Sequence, residues 1–530
     1  MAPLGYGTDH QCELTPLEHG ARGSMTRLKD FLSKYEELFR RSFLLAVLLA
    51  LPAIGILRWK VDLEDADIWW HLRTGEWILS HHMLPFTDPF SLHGAGKEWV
   101  AYSWLFEVLV FRLYQWFGLS GILYYNVVLS IAITAAVFTL IKRFEPAFIS
   151  VVGLAAISIV SMLPVLLAPR PWLFTILFFT IELKLLLDAR RTGSNRALWY
   201  LPFLFALWAN LHIQFVYGLL LLGVAAAESF VTKILHKFTD QVEESAFHPA
   251  RMALVTLACI AATLANPYHY KIYFPVVDYM VQRGFYDLVS ELQAPQFRTL
   301  CEWLMLGIAV GTSFILGRRR RINAFFVLLL LMAVTLSFRS RRDIWLVAVA
   351  SAGIVAASSS NFSVASQYVL SRARILSLSM AMLVVIAFTM RITDLSEDAL
   401  RRKVSEKLPA EAAAVIEERG YAGPLYNHFN WGGYLIWRLP SLPVAMDGRT
   451  NIYGVEKARH SLEVWSGGST WSSDAELDAA GVVVAQIDQP LTSLLKRDPR
   501  FDLVYEDKIA AVFVARNREK VELWGRTPNS

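Results

Sequence analysis

Long apolar runs separated by short polar clusters fill the first three-quarters of this chain, and the pattern changes abruptly near Asp394. The runs fall at 42–57, 121–141, 147–166, 172–187, 197–210, 213–231, 251–266, 300–316, 322–338, 343–358 and 375–391. A helix needs about 20 apolar residues to cross the hydrocarbon of a bilayer. The pattern therefore predicts a polytopic α-helical membrane protein with about eleven spans, twelve to thirteen being the upper count. One further apolar stretch, 99–117, follows Glu98 and contains Glu107, Arg112 and Gln115. A charge at the bilayer centre costs about 2.5–3.5 kcal/mol on insertion scales, so this stretch is expected in the interface or against other helices.

Beyond Asp394 charge and glycine return, and the pattern becomes α/β. P-A-E-A-A-A-V-I-E-E-R-G reads as a helix stopped by Gly420. G-V-V-V-A-Q-I reads as a short buried strand, L-T-S-L-L-K-R as a helix, and F-D-L-V-Y with A-A-V-F-V-A-R as a hairpin through E-D-K. The expected organisation is an N-terminal segment (1–41), a membrane domain (42–391) with external loops at 58–120 and 267–299, and an α/β domain (392–530).

Charge sets the expected orientation. Five basic residues in R-L-K-D-F-L-S-K-Y-E-E-L-F-R-R, before the first span, predict a cytoplasmic N-terminus. An odd number of spans then leaves the C-terminal domain outside. Four polar clusters fall on that outer side: D-A-D-I-W-W-H-L-R (65–73), V-S-E (289–291), R-S-R-R (339–342) and N-W-G-G-Y-L (430–435). Arginines on the outside run against the positive-inside rule, so R-S-R-R marks either an error in the parity or a group of cations facing an anion.

Composition narrows the classes. Hydrophobic residues make up 55% and charged residues 18% of 530, too little charge for a soluble domain of this length. Cys12, Cys259 and Cys301 are scattered, without disulfide or zinc spacing. The net charge of +5 comes without a basic, aromatic-interleaved soluble face, and no nucleic-acid partner is expected.

The outer clusters combine carboxylates, arginines and aromatics, the parts needed to hold an anionic, lipid-linked substrate. In an extended segment Asp65 and Asp67 point the same way. They can share a divalent cation such as Mg²⁺ or Mn²⁺, or one can serve as a base. Trp69 and Arg73 fall at i and i+4 if the segment turns helical, and a guanidinium there can pair a phosphate. Trp69 and Trp70 suit stacking on a sugar and equally suit anchoring at the interface. Asp447, in D-G-R-T, belongs either to a plain loop or to a site near an acceptor.

D-A-D-I-W-W-H-L-R-T-G-E-W-I-L…T-D-P-F-S resembles the first external loop of the oligosaccharyltransferase catalytic subunit. That loop carries an acid, an aromatic pair, H-x-R and a later D-P-F-T. The resemblance continues in order through V-S-E-L-Q-A-P-Q-F, which is similar to S-V-S-E-x-Q-P. N-W-G-G-Y-L-I-W-R-L stands where that family carries W-W-D-Y-G, and A-M-D-G-R-T-N follows it. The first loop is also similar to that of aminoarabinose and mannosyl transferases of the wider GT-C class, multi-span enzymes that use lipid-phosphate-linked sugars. The matched motifs cover about a sixth of the chain.

The resemblance implies roles for particular residues. Asp67 takes the place of the first-loop acid, with Asp65 as its alternative, and His71 and Arg73 match the H-x-R. Glu291 matches the acid expected near the acceptor or metal. Arg341 and Arg342 correspond to an external arginine on the donor's phosphate. Trp431 lies in the segment that replaces the acceptor-recognising W-W-D-Y-G, whose aspartate is missing here, so Asn-X-Ser/Thr recognition is not implied. A second acid pair expected in the next external loop is absent from P-R-P-W-L-F, which favours an aspartate base without metal.

The resemblance thus implies a glycosyltransferase acting on a polyprenyl-(pyro)phosphate donor. The acceptor would be a glycan, lipid or protein outside a bacterial inner membrane, with membrane lipids as surroundings. The alternative is a non-catalytic transporter or scaffold in surface-glycan assembly.

Overall fold

A computed structural model describes residues 16–145, 147–281, 284–359 and 372–516. The first fifteen and last fourteen positions of the expected N-terminal segment and α/β domain, with Cys12 among them, lie outside the described residues.

All eleven apolar runs form helices. In chain order they begin with α1 (Pro16–Trp59), which leads into α2 (Ala66–His81) and α3 (Trp104–Phe117). Then come α4 (Ser120–Lys142), α5 (Phe148–Ser161), the single turn α6 (Leu163–Leu166) and α7 (Trp172–Thr192). α8 (Leu201–Leu211), α9 (Phe215–Leu235) and α10 (Pro249–Thr263) follow, with two short helices α11 (Tyr273–Val281) and α12 (Phe285–Leu288). α13 (Leu300–Gly317), α14 (Ala324–Arg339), α15 (Trp345–Ser359) and α16 (Arg372–Ile392) complete the bundle, with α16 packed on α1.

The expected count of eleven crossings is not reached by length and composition. Among the described residues four helices suffice: Glu36–Trp59, Ser120–Lys142, Phe215–Leu235 and Leu300–Gly317. A fifth is added if Leu376–Ile392 and Glu397–Ser405, bent by 66°, count as one. The shortfall has visible causes. Proline at position 164 accompanies a break at Met162 that divides the predicted 147–166 span, and Glu182, Lys184 and Asp188 dilute α7. Large apolar side chains nevertheless face outward: Val128, Leu257, Val310, Phe314 and Leu331 are each at least 60% exposed. The segment 99–117 forms the 14-residue α3, which packs on α2 and α4. At 1.5 Å per residue it is about 21 Å long, short of the roughly 30 Å of hydrocarbon.

The C-terminal region starts with α17 (Glu397–Ser405) and α18 (Ala410–Arg419). Gly420 closes α18 in the left-handed conformation at φ +63°. Four strands form one sheet in the order β1-β2-β4-β3: β1 (Leu425–Asn427), β2 (Val482–Gln486), β3 (Phe501–Glu506) and β4 (Ala510–Ala515). β1 pairs parallel with β2, while β2–β4 and β3–β4 are antiparallel, as expected for the hairpin. Alternation explains the unbroken apolar run of β2. Val482 and Val484 face a core continuous with the bundle, whereas Val483 and Ala485 face a second core with Trp465, Leu477 and Leu491.

Between β1 and β2 lies α19 (Gly432–Arg438), which packs against α2. Trp69 of α2 meets Tyr434 edge-on with ring centres 5.1 Å apart, and Trp437 at 6.3 Å. Nearby, Leu92 donates its backbone N–H to Val444 (2.9 Å) and Val444 donates to Phe90 (3.2 Å). The C-terminal domain is thereby stitched onto the first loop, and it forms one wall of the cavity described next.

Candidate functional site

A cavity of about 320 Å³ opens where the first loop, the ends of several helices and the C-terminal domain meet. Its walls come from the α1–α2 connection, the segments just before α7 and α9, the loop after α12, the α14–α15 connection and the loop around Gly448. These bundle connections gather at one end, so the first loop, V-S-E and R-S-R-R share a face.

Asp65 and Asp67 enter at the start of α2. Asp65 caps the helix, its Oδ1 accepting the backbone N–H of Asp67 at 2.9 Å. Arg170, from P-R-P-W, binds both acids. Its Nε donates to Asp65 Oδ2 at 2.6 Å and its Nη1 donates to Asp67 Oδ2. Burial works against the charge on Arg170, but the two carboxylates outweigh it and push its pKa up. Burial also pushes the Asp67 carboxyl up; Arg170 opposes this and the neighbouring Asp65 adds to it, leaving Asp67 raised.

This arrangement does not suit a divalent cation. One Asp65 oxygen caps the helix and the other takes Arg170, which also holds one Asp67 oxygen, so a single oxygen of the pair is left over. Among the described residues no group of three His, Cys, Asp or Glu side chains is placed to hold a metal.

Across the cavity, R-S-R-R is laced to V-S-E. Arg341 and Arg342 donate backbone N–H groups to the carbonyls of Gln293 (2.9 Å) and Glu291 (3.0 Å). Arg342 lines the cavity, with Nη1 3.8 Å from Glu291 Oε1 and its guanidinium 5.9 Å from the Trp172 ring centre. Its Nε is buried without a hydrogen-bond partner among the described residues. Burial disfavours its charge, yet Asp343 and Glu291 hold its pKa above the usual value. Arg342 thus brings a desolvated guanidinium to the cavity wall.

The other sequence-predicted residues divide into two groups. Trp70, His71 and Glu291 line the cavity with Asp65, Asp67 and Arg342. Arg73 pairs with Glu76 at 2.5 Å and Arg341 with Glu302 at 3.0 Å, both away from the lining. Trp69 is buried against α19. Trp431 is buried, donating its Nε1 to the Lys407 carbonyl, while its neighbour Asn430 reaches the cavity.

Asp447 is fully buried and held by Arg449, whose Nη2 lies 2.7 Å from its Oδ2 and whose Nε lies 2.9 Å from its Oδ1. Tyr453 donates its hydroxyl to the same carboxylate at 2.5 Å. Arg449 also reaches Asp88 of the first loop at 2.6 Å and lies 4.7 Å over the Trp99 ring. The D-G-R-T segment is therefore a buried ionic link, and only its Gly448, Arg449 and Thr450 touch the cavity.

No family model matches the chain, and no curated protein matches it. Among solved structures it is similar to ArnT from Cupriavidus metallidurans bound to undecaprenyl phosphate. The TM-score is 0.45 with 13% identity, over 89% of this chain and 98% of that one. A likeness at that level assigns no residue a role.

Reading the sequence missed Arg170, Tyr102 and Arg449 as parts of this cavity; His212, at the end of W-A-N-L-H, is read from the sequence chiefly as a helix-end hydrogen-bonding residue and only secondarily as a substrate contact, and it lines the cavity. For Arg170 a signal existed: a lone arginine between two prolines, on the side of the bundle that carries D-A-D. Tyr102 reaches the cavity through tertiary packing and carries no local signature.

Proposed function

We propose that this protein is a membrane glycosyltransferase of the GT-C type. It transfers a sugar or glycan from a polyprenyl-(pyro)phosphate donor to an acceptor at the extracytoplasmic face of a bacterial inner membrane. The observation that carries the reading is the meeting of Asp67 with Arg342 in one cavity at the end of an apolar helical bundle. The motif resemblance in the first loop and in V-S-E supports it independently.

In this reading the donor's phosphate binds Arg342, and its lipid lies along the apolar exterior of the helices. Asp67 takes the proton from an acceptor hydroxyl. The acceptor oxygen then forms a bond to the anomeric carbon as the bond from that carbon to the phosphate oxygen breaks. The lipid phosphate departs with the electron pair, and Arg342 stabilises the charge it gains. Asp67 suits the role of base because its raised pKa strengthens it as a proton acceptor. Glu291, facing Arg342, helps place the acceptor. The C-terminal domain closes the acceptor side through Asn430 and Gly448.

The test uses purified full-length protein in lipid nanodiscs with a panel of polyprenyl-phosphate monosaccharides. Wild type is expected to consume a donor and release polyprenyl phosphate, while Asp67→Asn binds the same donor without turnover. Donor binding without turnover by wild type would favour a scaffold or transporter, and turnover by Asp67→Asn at the wild-type rate would remove that acid from the chemistry.

A further inference from the structure

His71 reaches the cavity wall one helical turn after Asp67, and its ring is held from behind. Its Nδ1 lies 3.1 Å from Glu107 Oε1 on α3, and the two side chains are only 2% and 1% exposed. Gly75, the next turn of α2, makes the pairing possible. A side-chain carbon there would overlap the carbonyl oxygen of Glu107, so the two backbones touch at this level. Phe106 meets the imidazole edge-on at 4.9 Å and Trp70 covers it at 3.5 Å. With Nδ1 engaged, Nε2 is the ring nitrogen left for the cavity.

The second oxygen of Glu107 decides the protonation. Glu107 Oε2 is buried and has no hydrogen-bond partner among the described residues. A carboxylate with a bare oxygen in apolar surroundings is costly, whereas a carboxylic acid leaves only a carbonyl oxygen unpaired. The surroundings act the same way. Burial drives the Glu107 carboxyl well up, with Arg449 opposing. Burial drives His71 well down, helped by Arg170, His212 and Arg449. Asp67, the acid on the same helix, is already paired with Arg170.

We propose that Glu107 is a positioning residue: as a neutral carboxylic acid it donates to His71 Nδ1 and fixes the imidazole as its Nε2–H tautomer. His71 is then a neutral hydrogen-bond donor at the cavity wall, aimed at a phosphate or sugar oxygen of the lipid-linked donor. The pair neither gains nor loses a proton during transfer. A neutral imidazole can act in this way without a buried imidazolium being formed. The assignment of a substrate to the His71 Nε2–H rests on the glycosyltransferase reading; the state of Glu107 does not.

Two measurements test it. The infrared spectrum of the purified full-length protein at neutral pH is expected to lose one protonated-carboxyl carbonyl band in Glu107→Gln. An unchanged band would mean that Glu107 is ionised and would overturn the proposal, whatever the protein's activity. With a polyprenyl-phosphate monosaccharide as donor, Glu107→Gln is expected to keep turnover within about threefold of wild type, because its amide N–H still donates to Nδ1. Glu107→Met, which cannot donate, is expected to lose about tenfold, the worth of one hydrogen bond. Turnover by a folded Glu107→Met equal to that of Glu107→Gln would also overturn it. If the band is lost in Glu107→Gln but wild type binds donor without turning it over, it is the glycosyltransferase reading that fails and not the state of Glu107.

Discussion

Gly448 packs its α-carbon directly on the carboxylate of Asp67, so closely that an added side-chain carbon would overlap Asp67 Oδ1. The C-terminal domain thus supplies part of the cradle for an acid that lies nearly 400 residues earlier in the chain.

Gly448→Ala is therefore expected to push Asp67 or its own loop aside while leaving the bundle folded. A shift of about 1 Å at a reacting group can cost on the order of a hundredfold in rate. Transfer from a polyprenyl-phosphate sugar should fall by about that factor, with donor binding retained. Wild-type turnover in this variant would show that contact with Gly448 does not hold Asp67 in place.

In the proposed mechanism Asp67 must be ionised to accept a proton, so transfer is expected to rise as the pH climbs through its pKa, already raised by burial. Arg170 is the group that pulls this pKa down, and Asp65 pushes it up. In Arg170→Gln the opposing charge is gone, and the acid limb of the pH–rate profile should move to higher pH. A limb that stays in place, or moves to lower pH, would mean that another group titrates there.

How much of this was legible in the sequence follows from what each signal measures. Long apolar runs located eleven helices of the bundle, and alternation located the buried strand and hairpin, because both report burial along one element; α2, α11 and α12 lie in segments read as external loops. The number of crossings was not legible in the same way. Composition does not reveal that the 147–166 run breaks at Met162 beside Pro164. The first-loop acids were legible because their motif is local. Arg170 was visible only as a charge on the correct face, and its pairing with Asp65 and Asp67 depends on how α7 meets α2. Of the two adjacent arginines at 341 and 342, the sequence could not choose, since a single 3-10 turn sends one to Glu302 and the other to the cavity.

That choice is testable. Arg342 lines the cavity with its Nη1 3.8 Å from Glu291 Oε1, whereas Arg341 is paired with Glu302 at 3.0 Å off the lining. A hydrogen bond to a charged group contributes about 1.5–3 kcal/mol. Arg342→Ala should thus raise the KM for the lipid-linked donor by about ten- to a hundredfold, and Arg342→Lys by less. Arg341→Ala should stay within about threefold of wild type. Equal effects at the two positions would remove Arg342 as the phosphate ligand.

Arg449 ties the two parts of the protein together from inside the core. Its guanidinium holds Asp447 of its own loop and Asp88 of the first loop, with all three side chains no more than 1% exposed. Removing one partner of a buried ionic group costs about 3–5 kcal/mol, because the other charges are left without compensation. Arg449→Met strands two aspartates and should show the full loss, read as a lower unfolding temperature of the detergent-solubilised protein. Asp88→Asn leaves Arg449 still paired with Asp447, and its effect should be smaller. Because Arg449 adjoins Gly448, molecules of Arg449→Met that remain folded should also transfer sugar more slowly. Unfolding of Arg449→Met at the wild-type temperature would show that the buried triad does not join the C-terminal domain to the first loop.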